Sequence, residues 1–155
     1  MKHWPKKNES TVSQTQMHQT RATLEQLEQD GWGEPKEDSY LVRTLHALRR
    51  KPIREFTVED LRITLGQGVG AEFLTPLALN RLEADPFVSG DFYPGDLLVS
   101  VMDLPQAYWA GHRGEAARMA AIADRVSTTL DQRNEPREIT RQIRELLVQA
   151  AWHAA

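Results

Sequence analysis

The sequence predicts an all-α fold, a single compact multi-helix domain with a loosely ordered N-terminal arm. In several segments apolar residues recur every three or four positions, which is typical of helices that bury one face. Residues that cap helices precede these segments, and proline or glycine follows them. Since we find no hairpin signal and no internal repeat, helices packed on helices are the expected architecture.

Length and composition indicate one domain. The chain has 155 residues, of which 40% are hydrophobic and 26% charged, as in globular proteins. Residues 1–22 are polar with few apolar anchors, so we expect an arm there and a helical domain over residues 23–155. No apolar stretch follows the basic residues near Met1 and no run approaches 18 apolar residues, so we expect neither a signal peptide nor a membrane span, and expect a cytoplasmic protein.

Four helices are expected in the first half. Thr23 is expected to open a short one, and a second should extend from Asp38 or Ser39 to Arg50, ended by Pro52. Thr57, with an acid three residues later, predicts a third helix that ends before the glycine run 66–70. That run lacks the frame of a nucleotide-binding loop and is interpreted as a connector. Residues 71–84 form the fourth, with a split or kink at Pro76, where a new helix could begin.

The second half begins with an aromatic loop over residues 85–93. The apolar segment 97–102 could be a strand by periodicity alone, but the preceding Pro94 and Asp96 favour a helix. A short helix should carry Tyr108 and Trp109. Two longer helices are expected over about residues 115–130 and from about Arg137 onward.

Catalytic, metal and cofactor sites are not expected. There are no cysteines, the five histidines never stand four residues apart, and no serine lies in a nucleophile-elbow motif. Neighbouring carboxylates such as Glu59 and Asp60 suit a helix N-terminus. An enzyme with a carboxylate site would require a pocket with at least two convergent ionisable groups.

Charge is distributed unevenly along the chain. Residues 61–103 carry two basic side chains and six acidic ones, whereas the whole chain has a net charge of −3. This acidic segment, residues 61–103, suits a basic partner, although a solvated surface is the alternative. Nucleic acid is a poor fit, because the second helix of a helix-turn-helix over residues 57–82 would bear basic charge only at Arg81.

Residues 23 to about 104 resemble the immunity proteins of contact-dependent growth inhibition (CDI), the CdiI family. The similar stretches occur in one order: Thr23–Glu28, Trp32–Pro35, Asp38–Val42, Leu48–Pro52, Phe56–Arg62, Gly66–Gln67, Pro76–Leu79 and Gly90–Leu98. The resemblance implies a helical protein that binds and neutralises the cognate C-terminal toxin domain of CdiA, with one copy of each. From the residues themselves we expect no catalysis, no small-molecule substrate and no nucleic-acid or membrane binding.

Toxins of this kind are often nucleases with basic clefts, which agrees with the charge of the acidic segment. The expected contacts are its polar surface acids: Glu72, Glu83, Asp85, Asp91 and Asp103. Phe92 or Tyr93 could be an aromatic anchor if exposed, with core packing as the alternative. A helical adaptor outside toxin biology is the alternative function.

Overall fold

A computed structural model describes residues 21–132 and 137–154, and these residues are helical with no strand among them. The all-α prediction is confirmed. Most of the predicted arm (1–22) lies outside the described residues. Contacts along the chain group into two compact units, Met1–Phe56 and Thr57–Ala155. The assignment of residues 23–155 to one domain stays a prediction.

Among its described residues, 21–56, the first unit contains two helices and a short 3₁₀ turn: α1 (Leu24–Glu28), α2 (Tyr40–Arg49) and Ile53–Glu55. The Thr23 hydroxyl accepts a hydrogen bond from the Gln26 amide at 3.2 Å, and the Gln26 side chain accepts one from the Thr23 amide at 3.0 Å. The predicted start of α1 is therefore confirmed as a reciprocal cap. Ser39 caps α2 in the same position.

The second unit contains six helices and a closing 3₁₀ turn among its described residues. In chain order they are α3 (Val58–Gly66), α4 (Ala71–Ala84), α5 (Asp96–Met102), α6 (Gln106–Gly111), α7 (Arg113–Leu130), α8 (Arg137–Gln149) and Ala151–Ala154. Helix α3 packs on α4 and α5, α7 packs on α4 and α8, and the closing turn packs on α6 and α7. The core is apolar and includes Leu61, Leu65, Leu74, Leu79, Leu82, Leu97, Leu98, Val101, Trp109, Met119, Val126 and Ile143.

Helix α3 begins as the sequence predicts. Thr57 and Asp60 exchange side-chain and backbone hydrogen bonds of 3.0 and 3.1 Å, which complete a capping box. After α3 the chain turns through Gly68 and Gly70, whose φ angles are +69° and +65°. Because only glycine adopts such angles without strain, the interpretation of the glycine run as a connector is confirmed.

Of the split or kink expected at Pro76, the split is absent. Helix α4 continues from Ala71 to Ala84 with Pro76 inside it, so the prediction that a new helix begins there is wrong. Thr75, the expected cap, is fully buried, as are Leu74 and Leu79 on either side of the proline. We infer that burial of the apolar Leu74 and Leu79 side chains offsets the loss of the backbone hydrogen bond that proline cannot donate.

The apolar segment that could have been a strand is helix α5. Gly95 precedes it with a φ of +95°, and four apolar side chains of the helix are buried. The preference for a helix there is confirmed. Helix α5 begins at Asp96, which therefore lies directly beside the aromatic loop.

Candidate functional site

The aromatic loop, expected over residues 85–93, covers residues 85–95 in the structure, connects α4 to α5 and is held by its own hydrogen bonds. The Asp85 carboxylate accepts from the Phe87 amide at 3.0 Å, and Gly95 donates to the Val88 carbonyl at 3.4 Å. Phe87 is buried, so the loop is fastened to the core at its start.

Asp96 fixes the tip of this loop. Its carboxylate accepts backbone hydrogen bonds from Gly90 at 2.7 Å, from Phe92 at 3.1 Å and from Tyr93 at 3.5 Å. The residue is only 3% exposed. A buried carboxylate lowers the stability of the fold unless hydrogen-bond donors surround it. The loop conformation supplies these amide donors, and their hydrogen bonds to Asp96 in turn hold the loop in that conformation.

Glu59 on α3 fixes the same tip from a second side. Its Oε2 accepts from the Asp91 amide at 2.8 Å and from Arg62 Nε at 2.7 Å, and Arg62 also donates to the other carboxylate oxygen. The hydrogen bond from Arg62 is the main cause that lowers the pKa of Glu59, against desolvation, which raises it. The same bond raises the pKa of Arg62.

Phe92 lies above this charged group. The Arg62 guanidinium carbon is 4.3 Å from the centre of the Phe92 ring, a cation–π geometry. Arg62 Nε is also 3.8 Å from Asp96 Oδ2. Phe92 remains 70% exposed. The exposed Phe92 ring thus rests on a group of charged side chains, Glu59, Arg62 and Asp96, which hydrogen bonds and ion pairs hold in place.

The first unit contains a separate aromatic–cation cluster. Arg49 is fully buried, with its Nη1 3.0 Å from Glu28 Oε2 and its guanidinium carbon 4.3 Å from the centre of a Trp32 ring. The His46 ring meets Trp32 edge-on, and its Nδ1 is 3.0 Å from the Gly33 carbonyl oxygen. These contacts bind the turn after α1 to the end of α2.

Metal ligands do not converge in the described part of the chain, where no three histidine or acidic side chains are grouped to hold an ion. None of the helices described is both long and apolar enough to cross a bilayer. The carboxylates of Glu59 and Asp96 are occupied by loop amides and Arg62.

Comparison with known proteins identifies the chain. A family model described as CDI immunity proteins matches residues 26–119, more than half of the sequence. The chain belongs to this family. The match includes the capping box, the aromatic loop and the group formed by Glu59, Arg62 and Asp96. No curated protein and no solved structure matches this CDI immunity protein.

The five acids expected to contact a partner are all exposed in the CDI immunity protein. Glu72 is in the first turn of α4, Asp103 follows α5, and Asp91 is at the loop tip. Glu83 is ion-paired with Arg118, and Asp85 also caps its own loop. The structure groups Asp91 with Glu59 and Arg62, and whether the five form one interface stays a prediction.

Sequence reasoning missed the support beneath Phe92. The sequence pattern indicates Asp96 only as an acid near a helix start, and it indicates no role for Arg62. Of the two candidate anchors, Phe92 is exposed, while Tyr93 is partly buried and its hydroxyl donates to Gln142 at 3.4 Å. An aspartate directly after Pro94-Gly95 was the available signal, since such a carboxylate can bind amides of the preceding loop.

Proposed function

We propose that this CDI immunity protein binds and neutralises the cognate CdiA C-terminal toxin domain in the cytoplasm, one-to-one and without catalysis. We propose further that the toxin is a nuclease whose basic cleft the acidic segment covers. Family membership supports the general role. The observation that carries the nuclease proposal is the set of outward-facing carboxylates on the acidic segment.

Most of those carboxylates are exposed. Of the six acids in residues 61–103, Asp96 is buried within the loop network and Glu83 pairs with Arg118. The other four are exposed: Glu72, Asp85, Asp91 and Asp103. None of these four forms an ion pair with a described basic side chain, although the charge of Asp91 acts on nearby Arg62, so most of their charge is directed to solvent.

Negative charge at these positions suits a protein that must find a nuclease quickly. A cleft that binds nucleic acid carries lysine and arginine side chains, which attract carboxylates as they attract phosphates. Such complementarity mainly increases the association rate. A typical stable interface of about 1,600 Å² would be large enough to cover a cleft.

Co-expression with the toxin domain encoded beside this protein tests the general role. Bacteria that produce both proteins should grow, and the two should co-purify in a one-to-one ratio. Growth arrest despite soluble immunity protein, together with failure to co-purify, would refute the proposal. Nuclease activity of the isolated toxin, blocked by equimolar immunity protein, tests the finer part.

Stopped-flow association tests the role of the acidic segment. Reversal of two exposed acids, Asp91→Lys with Asp103→Lys, should slow association about tenfold or more at low salt, and less at high salt. The matched control, Asp124→Lys with Glu145→Lys, changes the net charge equally but on exposed positions of α7 and α8. Equal slowing in both variants would show that net charge matters and this surface does not.

A further inference from the structure

The Phe92 side chain is exposed to solvent, yet contacts within the loop restrict its position. Its side chain is 70% exposed, while its backbone amide donates to Asp96 at 3.1 Å and its ring rests on Arg62. Arg62 is itself held by two hydrogen bonds to Glu59. Exposed side chains normally lose rotamer freedom when a partner covers them, and here the fold has already restricted that freedom.

The cation beneath the ring does not oppose a basic partner. Arg62 is neutralised by its ion pair with Glu59 and lies 3.8 Å from the Asp96 carboxylate. Asp91, the residue before Phe92, is exposed and adds an outward negative charge. The ring is therefore an apolar point within a negatively charged segment, the arrangement of an aromatic anchor with a polar rim.

We propose that Phe92 is the anchor of the toxin-binding surface, inserted into an apolar depression at the edge of a basic cleft on the cognate toxin domain. This inference rests on the proposed function and adds the contact that retains the complex. Carboxylates around the ring would attract the cleft, and burial of the preorganised ring would slow dissociation.

Binding of the purified toxin domain to alanine variants tests the inference. Phe92→Ala should weaken binding about 30-fold or more, mostly through faster dissociation. The matched control is Tyr40→Ala, which removes a 72% exposed aromatic side chain at the start of α2 and should change binding less than about twofold. A Phe92→Ala variant that binds like the wild type overturns the inference and leaves the proposed function intact.

The loop must stay folded for this comparison to be valid. Amide resonances of Gly90 and Asp91, whose N–H groups bond to carboxylates, report on its conformation. If Phe92→Ala shifts them strongly, Phe92→Tyr decides, because it keeps the ring over Arg62 and places a hydroxyl at the exposed edge. Burial in an apolar depression predicts about fivefold weaker binding or more for Phe92→Tyr. Unchanged binding overturns the anchor.

Two further outcomes would show that Phe92 contacts a different partner or that the proposed function is wrong. A wild-type chain that dimerises alone, and that Phe92→Ala converts to a monomer, would assign the ring to a second copy of the chain and overturn the inference. A wild-type chain that does not bind the toxin at all would refute the proposed function, and the anchor with it.

Discussion

The Gly90 amide donates a 2.7 Å hydrogen bond to Asp96 Oδ1, and no side chain fits at position 90. A Cβ atom there would lie 2.5 Å from Glu59 Oε2 and 2.9 Å from Asp96 Oδ2. Both contacts are shorter than real Cβ atoms tolerate. Two carboxylates thus approach the backbone from different helices, and glycine lets both of them reach the loop.

Gly90→Ala should therefore destabilise the protein by about 1–3 kcal/mol, because a carboxylate must move and lose hydrogen bonds. Urea unfolding followed by circular dichroism measures this change. The matched control is Gly114→Ala in the first turn of α7, where an added Cβ meets nothing within 4 Å. That substitution should leave stability unchanged or raise it slightly. Equal effects in the two variants would contradict the crowding at Gly90.

The lowered pKa of Glu59 predicts that the stability of the protein depends on pH. Its pKa is lowered in the folded protein, chiefly by the hydrogen bond from Arg62, from an ordinary value of 4.5. The unfolded chain therefore takes up the proton at higher pH than the folded one. The stabilisation is fully present above about pH 4.5 and is lost as the pH falls through the lowered folded pKa.

Glu59→Gln should lower the free energy of unfolding at pH 7 and flatten its decline below about pH 5. Urea titrations at several pH values measure both effects. Glu115→Gln is a suitable control, as it changes one charge on another helix of the same unit. A decline as steep in Glu59→Gln as in the wild type would show that other carboxylates cause the acid sensitivity.

Local signals explain why much of the fold could be predicted. The capping boxes at Thr23 and Thr57 involve atoms three residues apart, so the sequence contains both partners within one turn. The all-α class depends only on such caps and on helical apolar spacing. Pro76 shows where reasoning from local sequence fails. We infer that burial of Leu74 before it and Leu79 after it in α4 overrides the preference of proline for a helix start.

The candidate site depends on contacts distant in sequence. Glu59 and the Asp91 amide are 32 residues apart, and no local pattern indicates that they meet. Arg49 is similar, because the structure buries it beside Glu28 and Trp32, which lie 21 and 17 residues earlier in the chain. The sequence could therefore indicate which acids are exposed, but it could not show which charged side chains form ion pairs and hydrogen bonds inside the fold.

Trp152 shows how the chain beyond the family match completes the second unit. The match ends at residue 119, whereas Trp152 lies in the closing 3₁₀ turn and is only 2% exposed. Its ring meets Trp109 edge-on, with 6.4 Å between the ring centres. Its indole nitrogen is buried without a hydrogen-bond partner in the described part of the chain.

Trp152→Ala should cost about 3–5 kcal/mol of unfolding free energy, since it removes a large buried side chain from the contact with Trp109. Trp152→Phe should cost clearly less, because it keeps much of the apolar volume and eliminates a buried donor that forms no hydrogen bond. Urea unfolding of both variants measures the difference. His153→Ala, at the exposed neighbouring position, should stay within about 0.5 kcal/mol of the wild type. If Trp152→Ala were as mild as His153→Ala, the closing turn would contribute little to the core, and the stable unit would end before it.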